Sequence, residues 1–169
     1  NLALNNAKNL QAAFGKDKRK FLADIMAKPF GEGIIAKRVD ALYGQEKLWV
    51  KNKLTENHDC VIMGFDPPEE FSRKTSGIVS VTKLFQNGWI GAVQIGQYLD
   101  GKLTQMGTIS GMDEPLRIDL THNPDKYLGK VVQIECNGRE PTLAFRHPRW
   151  DGLRDDKRPE ECIYYPEEC

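Results

Sequence analysis

Histidine is scarce in this chain and cysteine is unclustered. The 169 residues hold three His and four Cys. Cys60, Cys136, Cys162 and Cys169 form no C-x-x-C pair, and His58, His122 and His147 do not stand at zinc spacing from them. That pattern argues against a zinc ribbon or finger written along the chain. At this length no disulfide staple is needed, so four free thiols in a reducing, cytoplasmic setting are expected. No apolar run approaches the roughly 18 residues that span a bilayer, so no membrane partner is expected. An initiator Met and an apolar signal core are also missing. The chain opens on Asn1, and the expectation is a piece of a longer protein.

Net charge is lacking too, with 24 Lys and Arg against 24 Asp and Glu. The balance hides an asymmetry. Residues 1–55 carry eleven basic and five acidic side chains, whereas 56–169 carry thirteen and nineteen. A basic half can approach a polyanion although the whole is neutral. A solvated basic face would give the same counts.

What is present divides into two patterns. "DKRKFLADIMAK" (17–28) reads as a helix, with Asp17 as cap and Phe21, Leu22, Ile25 and Met26 on one face. Lys28 and Pro29 suit its end. "GIIAKRV" (33–39) and "KLWVKNKL" (47–54) then read as short strands. In the second, period-two geometry puts Lys51 and Lys53 on one face.

From residue 58 the chain reads as short strands. "CVIMGF" (60–65) is the first, and "DPPEEFSRKTSG" reads as a loop. A hairpin follows around the Asp100-Gly101 turn, and a helical turn at 124–128. "KVVQIECNG" (130–138) and "TLAFRHPRW" (142–150) are the last two strands expected. Five strands and one short helix suit a small Greek-key barrel, the OB barrel being the natural candidate. The fold class expected is therefore an α+β fragment followed by an all-β domain, with the boundary between 1–55 and 56–169.

Two lysines on one strand face, with a carboxylate on a neighbouring strand, fit a phosphate site. Lys51 and Lys53 could neutralise a nucleotide's α-phosphate, and Glu32 could hold a divalent cation. An edge strand with snorkelling lysines has the same spacing. Near the far end, "FRHPRWDGLRDDKRPEEC" (145–162) crowds Arg146, Arg149, Arg154, Lys157 and Arg158 among five carboxylates. Composition alone makes it a salt-bridged surface segment.

In order along the chain, "EGIIAK" (32–37), "WVKNK" (49–53) and "FRHPRWDGLRDDK" (145–157) resemble motifs IV, V and VI of the nucleotidyltransferases. Taken with the barrel pattern between the second and third, they resemble the C-terminal part of an ATP-dependent DNA ligase. The resemblance covers nearly all of 30–162. It implies a partial nucleotidyltransferase (ATP-grasp-like) domain followed by a five-stranded OB-fold barrel. It also implies ATP with Mg2+ (or Mn2+), nicked duplex DNA as partner, a monomer, and a DNA-associated intracellular location.

Residue roles follow from the same resemblance. Glu32 matches the acid that assists the metal, and Lys37 the basic end of that motif near the nucleotide. Lys51 and Lys53 match the lysines that contact the adenylate phosphate. Arg154, Asp156 and Lys157 match the R-x-D-K element that closes over ATP and orients the pyrophosphate. Arg146 and Arg149 belong to its extended form and are expected at DNA. Apart from the resemblance, Arg73 and Lys74 on the loop at 69–77 could touch the DNA backbone, or the loop could be a solvated connection. One departure is decisive. The family's nucleophile sits in K-x-D-G, and no K-x-D-G occurs here. The chain alone is therefore expected not to form the lysine–adenylate, and to need the remainder of the adenylation domain. Two other readings share these features: an RNA-capping-type nucleotidyltransferase, or a non-catalytic OB module that stacks bases on Phe85, Trp89 or Tyr98.

Overall fold

The computed structural model describes residues 18–27, 33–38, 40, 49–53, 55–73, 77 and 79–165, apart from the side chains of Lys18 and Arg73. The chain divides into two compact units, Asn1–Leu54 and Thr55–Cys169.

In the first unit, helix α1 (Lys18–Met26) turns the expected face inward: Phe21, Leu22, Ile25 and Met26 are half-buried, and the side chains between them are exposed. Asp17, Lys28 and Pro29 lie outside the described residues. Strands β1 (Gly33–Lys37) and β2 (Trp49–Lys53) pair antiparallel, with Ile35 opposite Lys51 and Lys37 opposite Trp49. Gly33 is required here. Its φ is +133°, and a Cβ would stand 2.1 Å from the Asn52 carbonyl oxygen, so any side chain would force the ladder apart beside Lys53.

The second unit is built on a five-stranded antiparallel sheet in the order β7-β6-β3-β8-β9. Its strands are β3 (Glu56–Asp66), β6 (Ala92–Leu99), β7 (Lys102–Ile109), β8 (Val131–Cys136) and β9 (Arg149–Leu153). β3 is long enough to serve two partners: its first half pairs with β8 and its second with β6. The β6–β7 hairpin closes on Asp100 (φ 50°) and Gly101 (φ 76°), the left-handed pair that an Asp-Gly turn supplies. Among the described residues no ladder joins the outer strands β7 and β9. The structure is thus a small, mostly sheet α+β protein, and the sheet is not closed into a barrel by strand pairing.

Three expectations are corrected. The segment 142–150 is not a strand as a whole. Positive φ at Leu143 (68°) and His147 (51°) breaks the extended backbone, so that Phe145 keeps only an isolated antiparallel bridge to Arg139 and a ladder resumes at Arg149, after Pro148. Within the expected loop at 66–77, Phe71–Arg73 (β4) forms a short antiparallel ladder with β5 (Val79–Val81). Between β7 and β8 lies helix α3 (Glu114–His122), where the sequence pattern predicts no helix. The Asp113 carboxylate accepts from Leu116 N at 3.0 Å to cap it, and Pro115 stands in its first turn. Two short helices, α2 (Lys83–Gln86) and α4 (Pro124–Tyr127), flank it along the chain.

The core lies between the sheet and α3. Ile62, Val93, Ile95, Met106, Ile109, Leu120, Val132 and Ile134 are buried there with Cys60 and Cys136. Arg117 is also buried, and its guanidinium donates to the carbonyls of Ile90, Gly91 and Ser110. That satisfies a charge the core would otherwise reject.

Candidate functional site

The residues 154–157 form one turn that leaves β9. Arg154 N donates to Val131 O at 2.9 Å, and Lys157 N donates back to Arg154 O at 3.2 Å. Tying both ends of the turn to backbone sends Arg154 and Lys157 to the same place. That place is Asp59 on β3.

Arg154 Nη1 lies 3.3 Å from Asp59 Oδ1, and Lys157 Nζ donates to Asp59 Oδ2. Asp156 takes the rest of the guanidinium in a fork, with Nε and Nη2 each donating at 2.8 Å. The Asp59 side chain is only 13% exposed, and those of Arg154 and Lys157 are 28% and 35% exposed. Two cations and two carboxylates thus form a neutral, partly buried cluster. Asp59 carried no signal in the sequence: it lies 95 residues from Arg154, on a strand.

Charge pairing moves the titrations accordingly. The hydrogen bonds from Arg154 hold the Asp156 carboxyl down to about 2, and Asp156, followed by Asp59, raises the guanidinium above its usual range. The bond to Asp59 raises Lys157. Burial, then the Asp59 charge, pushes the neighbouring Cys162 thiol up to about 11. On α3, bonds from Lys126, then Tyr127 and Asn123, hold Asp119 down to about 2.

A carboxylate lowered in the fold contributes its stability fully above its unfolded value of 3.8 and loses it as pH falls toward 2. The thermal midpoint is therefore expected to fall steeply across that window. In an Asp119→Asn/Asp156→Asn double variant, followed by circular dichroism, the fall should be shallower. An unchanged slope would overturn both assignments.

The other expected residues sit elsewhere. Lys51 and Lys53 are exposed, on one face of β2. Lys37 Nζ lies 4.0 Å above the Trp49 ring, a cation–π contact across the β1–β2 ladder. Arg146 Nε pairs with Glu140 Oε1 at 3.1 Å rather than joining the Asp59 cluster. Arg149 is exposed at the start of β9, opposite Glu135. Arg73 ends β4 in register with Val79. Glu32 and Lys74 lie outside the described residues.

Among the base-stacking candidates, Phe85 is 46% exposed, Trp89 is half-buried beside Lys83, and Tyr98 packs on Val61, Val131 and Cys162. After residue 161 the chain is pinned to β6, although Ile163 and Tyr165 remain 42% and 53% exposed. Cys162 is buried, and Tyr98 N donates to its carbonyl at 2.7 Å. Tyr164 N donates to Tyr98 O at 2.9 Å. Residues 166–169 lie outside the described set.

Cys60, Cys136 and Cys162 are free and buried. No helix among the described residues is long and apolar enough to cross a membrane.

No protein-family model matches the sequence, and none of the curated proteins matches it. Solved structures do. The chain is similar to the ligase domain of LigD from M. tuberculosis, with 23% identity and a TM-score of 0.50, over 79% of this chain and 48% of that one. It is similar to a Lig E DNA ligase at 16% identity and a TM-score of 0.54, over 86% and 48%. To Pmar-Lig_PreS3 it is 18% identical with a TM-score of 0.56, over 83% and 32%. Its structural neighbours are consistently ATP-dependent DNA ligases. At these identities the likeness is one of fold, and the chain spans about half the length of these proteins or less.

Proposed function

We propose that this chain is the C-terminal portion of an ATP-dependent DNA ligase. Residues 1–55 complete its adenylation domain, and 56–169 form its OB-fold domain. The observation that carries this reading is the convergence of Arg154, Asp156 and Lys157 in one cluster on a fold shared with such ligases. The open strand order β7-β6-β3-β8-β9, with α3 between β7 and β8, supports an OB-type sheet, whose closure into a barrel would need β7 to meet β9.

In this reading Lys51 and Lys53 bind the adenylate phosphate, with Lys37 at the nucleotide. Arg154 and Lys157 orient the pyrophosphate, and Asp156 holds the guanidinium flat. The donor set suits ATP, since exposed lysines and a forked guanidinium are phosphate-binding chemistry. Glu32, which lies outside the described residues, would hold Mg2+ (or Mn2+), as the resemblance implies. Arg146, Arg149, Arg73 and Lys74 contact the backbone of nicked duplex DNA. The nucleophilic lysine comes from the remainder of the adenylation domain, because this chain has no K-x-D-G.

Binding separates this reading from its rivals. The chain should prefer a nicked duplex to a single strand of equal length, measured by fluorescence anisotropy at fixed salt. A preference for single strands would instead favour the base-stacking module. In the complete enzyme, labelling by GTP in place of ATP would favour the capping class.

A further inference from the structure

We propose that Glu56, His58 and Cys136 form a site for one divalent cation of the zinc class, placed by the register of β3 on β8. Glu56 is the direct cross-strand partner of Cys136. His58 follows Glu56 by two residues, so period-two geometry puts it on the same face. The three donors are thus set by backbone pairing and not by a flexible loop.

One carboxylate oxygen, one imidazole nitrogen and the thiol sulfur lie within 4.8 Å of one another. Glu56 Oε2 and His58 Nε2 are 3.1 Å apart. In a tetrahedral site with bonds of about 2.0–2.3 Å, donors stand roughly 3.5 Å apart. The pair is already near that spacing. The remaining closure is about 1 Å by the same geometry, and the His58 and Glu56 side chains, 21% and 43% exposed, have room for a movement of that size.

The surroundings fit a bound ion. The His58 ring is steadied against Phe145, with centroids 5.2 Å apart. Glu56 and His58, though not Cys136, line a small open cavity with Gln97, Arg139 and Tyr164, which has room for a water beside these two donors. Arg139 is the cation on that wall, and it is committed elsewhere. Its guanidinium donates to Leu143 O at 2.8 Å and to Gln97 Oε1, and stacks 3.9 Å over Phe145.

A thiolate, an imidazole and a carboxylate make a borderline-soft set, which selects Zn2+ or Co2+ over Mg2+ and Ca2+. As the metal–sulfur bond forms, the thiol proton leaves to solvent. The site is separate from the nucleotide chemistry proposed above, and its test needs neither ATP nor DNA.

The whole chain, in a Cys169→Ser background, is titrated with Zn2+ by calorimetry and with Co2+ by absorption. One equivalent of each should bind, and Co2+ should give a thiolate-to-metal charge-transfer band. Millimolar Mg2+ should not compete. His58→Asn and Glu56→Gln should each weaken Zn2+ binding by about tenfold or more, and Cys136→Ser should abolish the cobalt band. Zn2+ should raise the melting temperature of the parent chain and not of His58→Asn. Absence of stoichiometric binding would overturn the site, as would unchanged affinity in both His58→Asn and Glu56→Gln. Those two side chains are partly exposed, so the test stands even if the buried Cys136 variant does not fold.

Discussion

If the proposed ligase reading holds, replacing Arg154 or Lys157 by Ala in the complete enzyme is expected to slow its adenylation by about 10²–10³-fold, the usual cost of losing one preorganised donor at a developing charge. Sealing of a pre-adenylated nick should proceed near its normal rate, because no pyrophosphate leaves in that step. The structure adds a condition. Both cations are already engaged, Arg154 by Asp156 and Asp59, and Lys157 by Asp59. A polyphosphate must therefore compete with carboxylates for these donors, and can do so because it brings more charge than one Asp. Asp59→Asn tests that competition: it weakens the hold on both donors without removing either, and should leave adenylation active. Melting temperatures identify variants that merely unfold. Equal losses in adenylation and in sealing would refute the division of labour between the two steps.

How far the sequence announced this arrangement depends on how local each signal was. Trp49, Lys51 and Lys53 alternate on β2 as the period-two pattern requires. The Asp100-Gly101 turn needs only its own two residues, and its left-handed φ values are the ones this dipeptide permits. Helix α3 was hidden because Leu116, Ile118 and Leu120 alternate in strand fashion. Its real markers were Asp113 as cap and Pro115 in the first turn. The segment at 142–150 misled in the opposite sense, since its apolar residues imitate a strand that two positive φ values forbid.

Arg154, Asp156 and Lys157 were legible as a motif, whereas the carboxylate that gathers the two cations was not. Asp59 lies 95 residues from Arg154 along the chain, and only the pairing of β3 with β8 and β9 with β8 brings the two together. Likewise His58 and Cys136 show no zinc spacing along the chain. They become neighbours through cross-strand register, which one-dimensional spacing does not encode.

Lys51→Ala is expected to lower both adenylation and sealing of a pre-adenylated nick, each on the order of 10²-fold. The reason is where its charge is needed. In the proposed reading Lys51 binds the phosphate of AMP, and that phosphate is present in every step, whereas pyrophosphate is present only in the first. The structure makes Lys51 a clean position to test. It is exposed on β2 and stands opposite Ile35, so truncation removes no buried partner and should leave the melting temperature within a degree or two. Lys53 is a poorer choice, because it faces Gly33, whose backbone admits no rearrangement of the ladder. Lys51→Arg keeps the charge but replaces a compact ammonium by a planar fork. It should recover part of each rate, whereas recovery of only one would mean that Lys51 meets different groups in the two steps. A Lys51→Ala enzyme that seals the adenylated nick at the normal rate would remove Lys51 from the phosphate site.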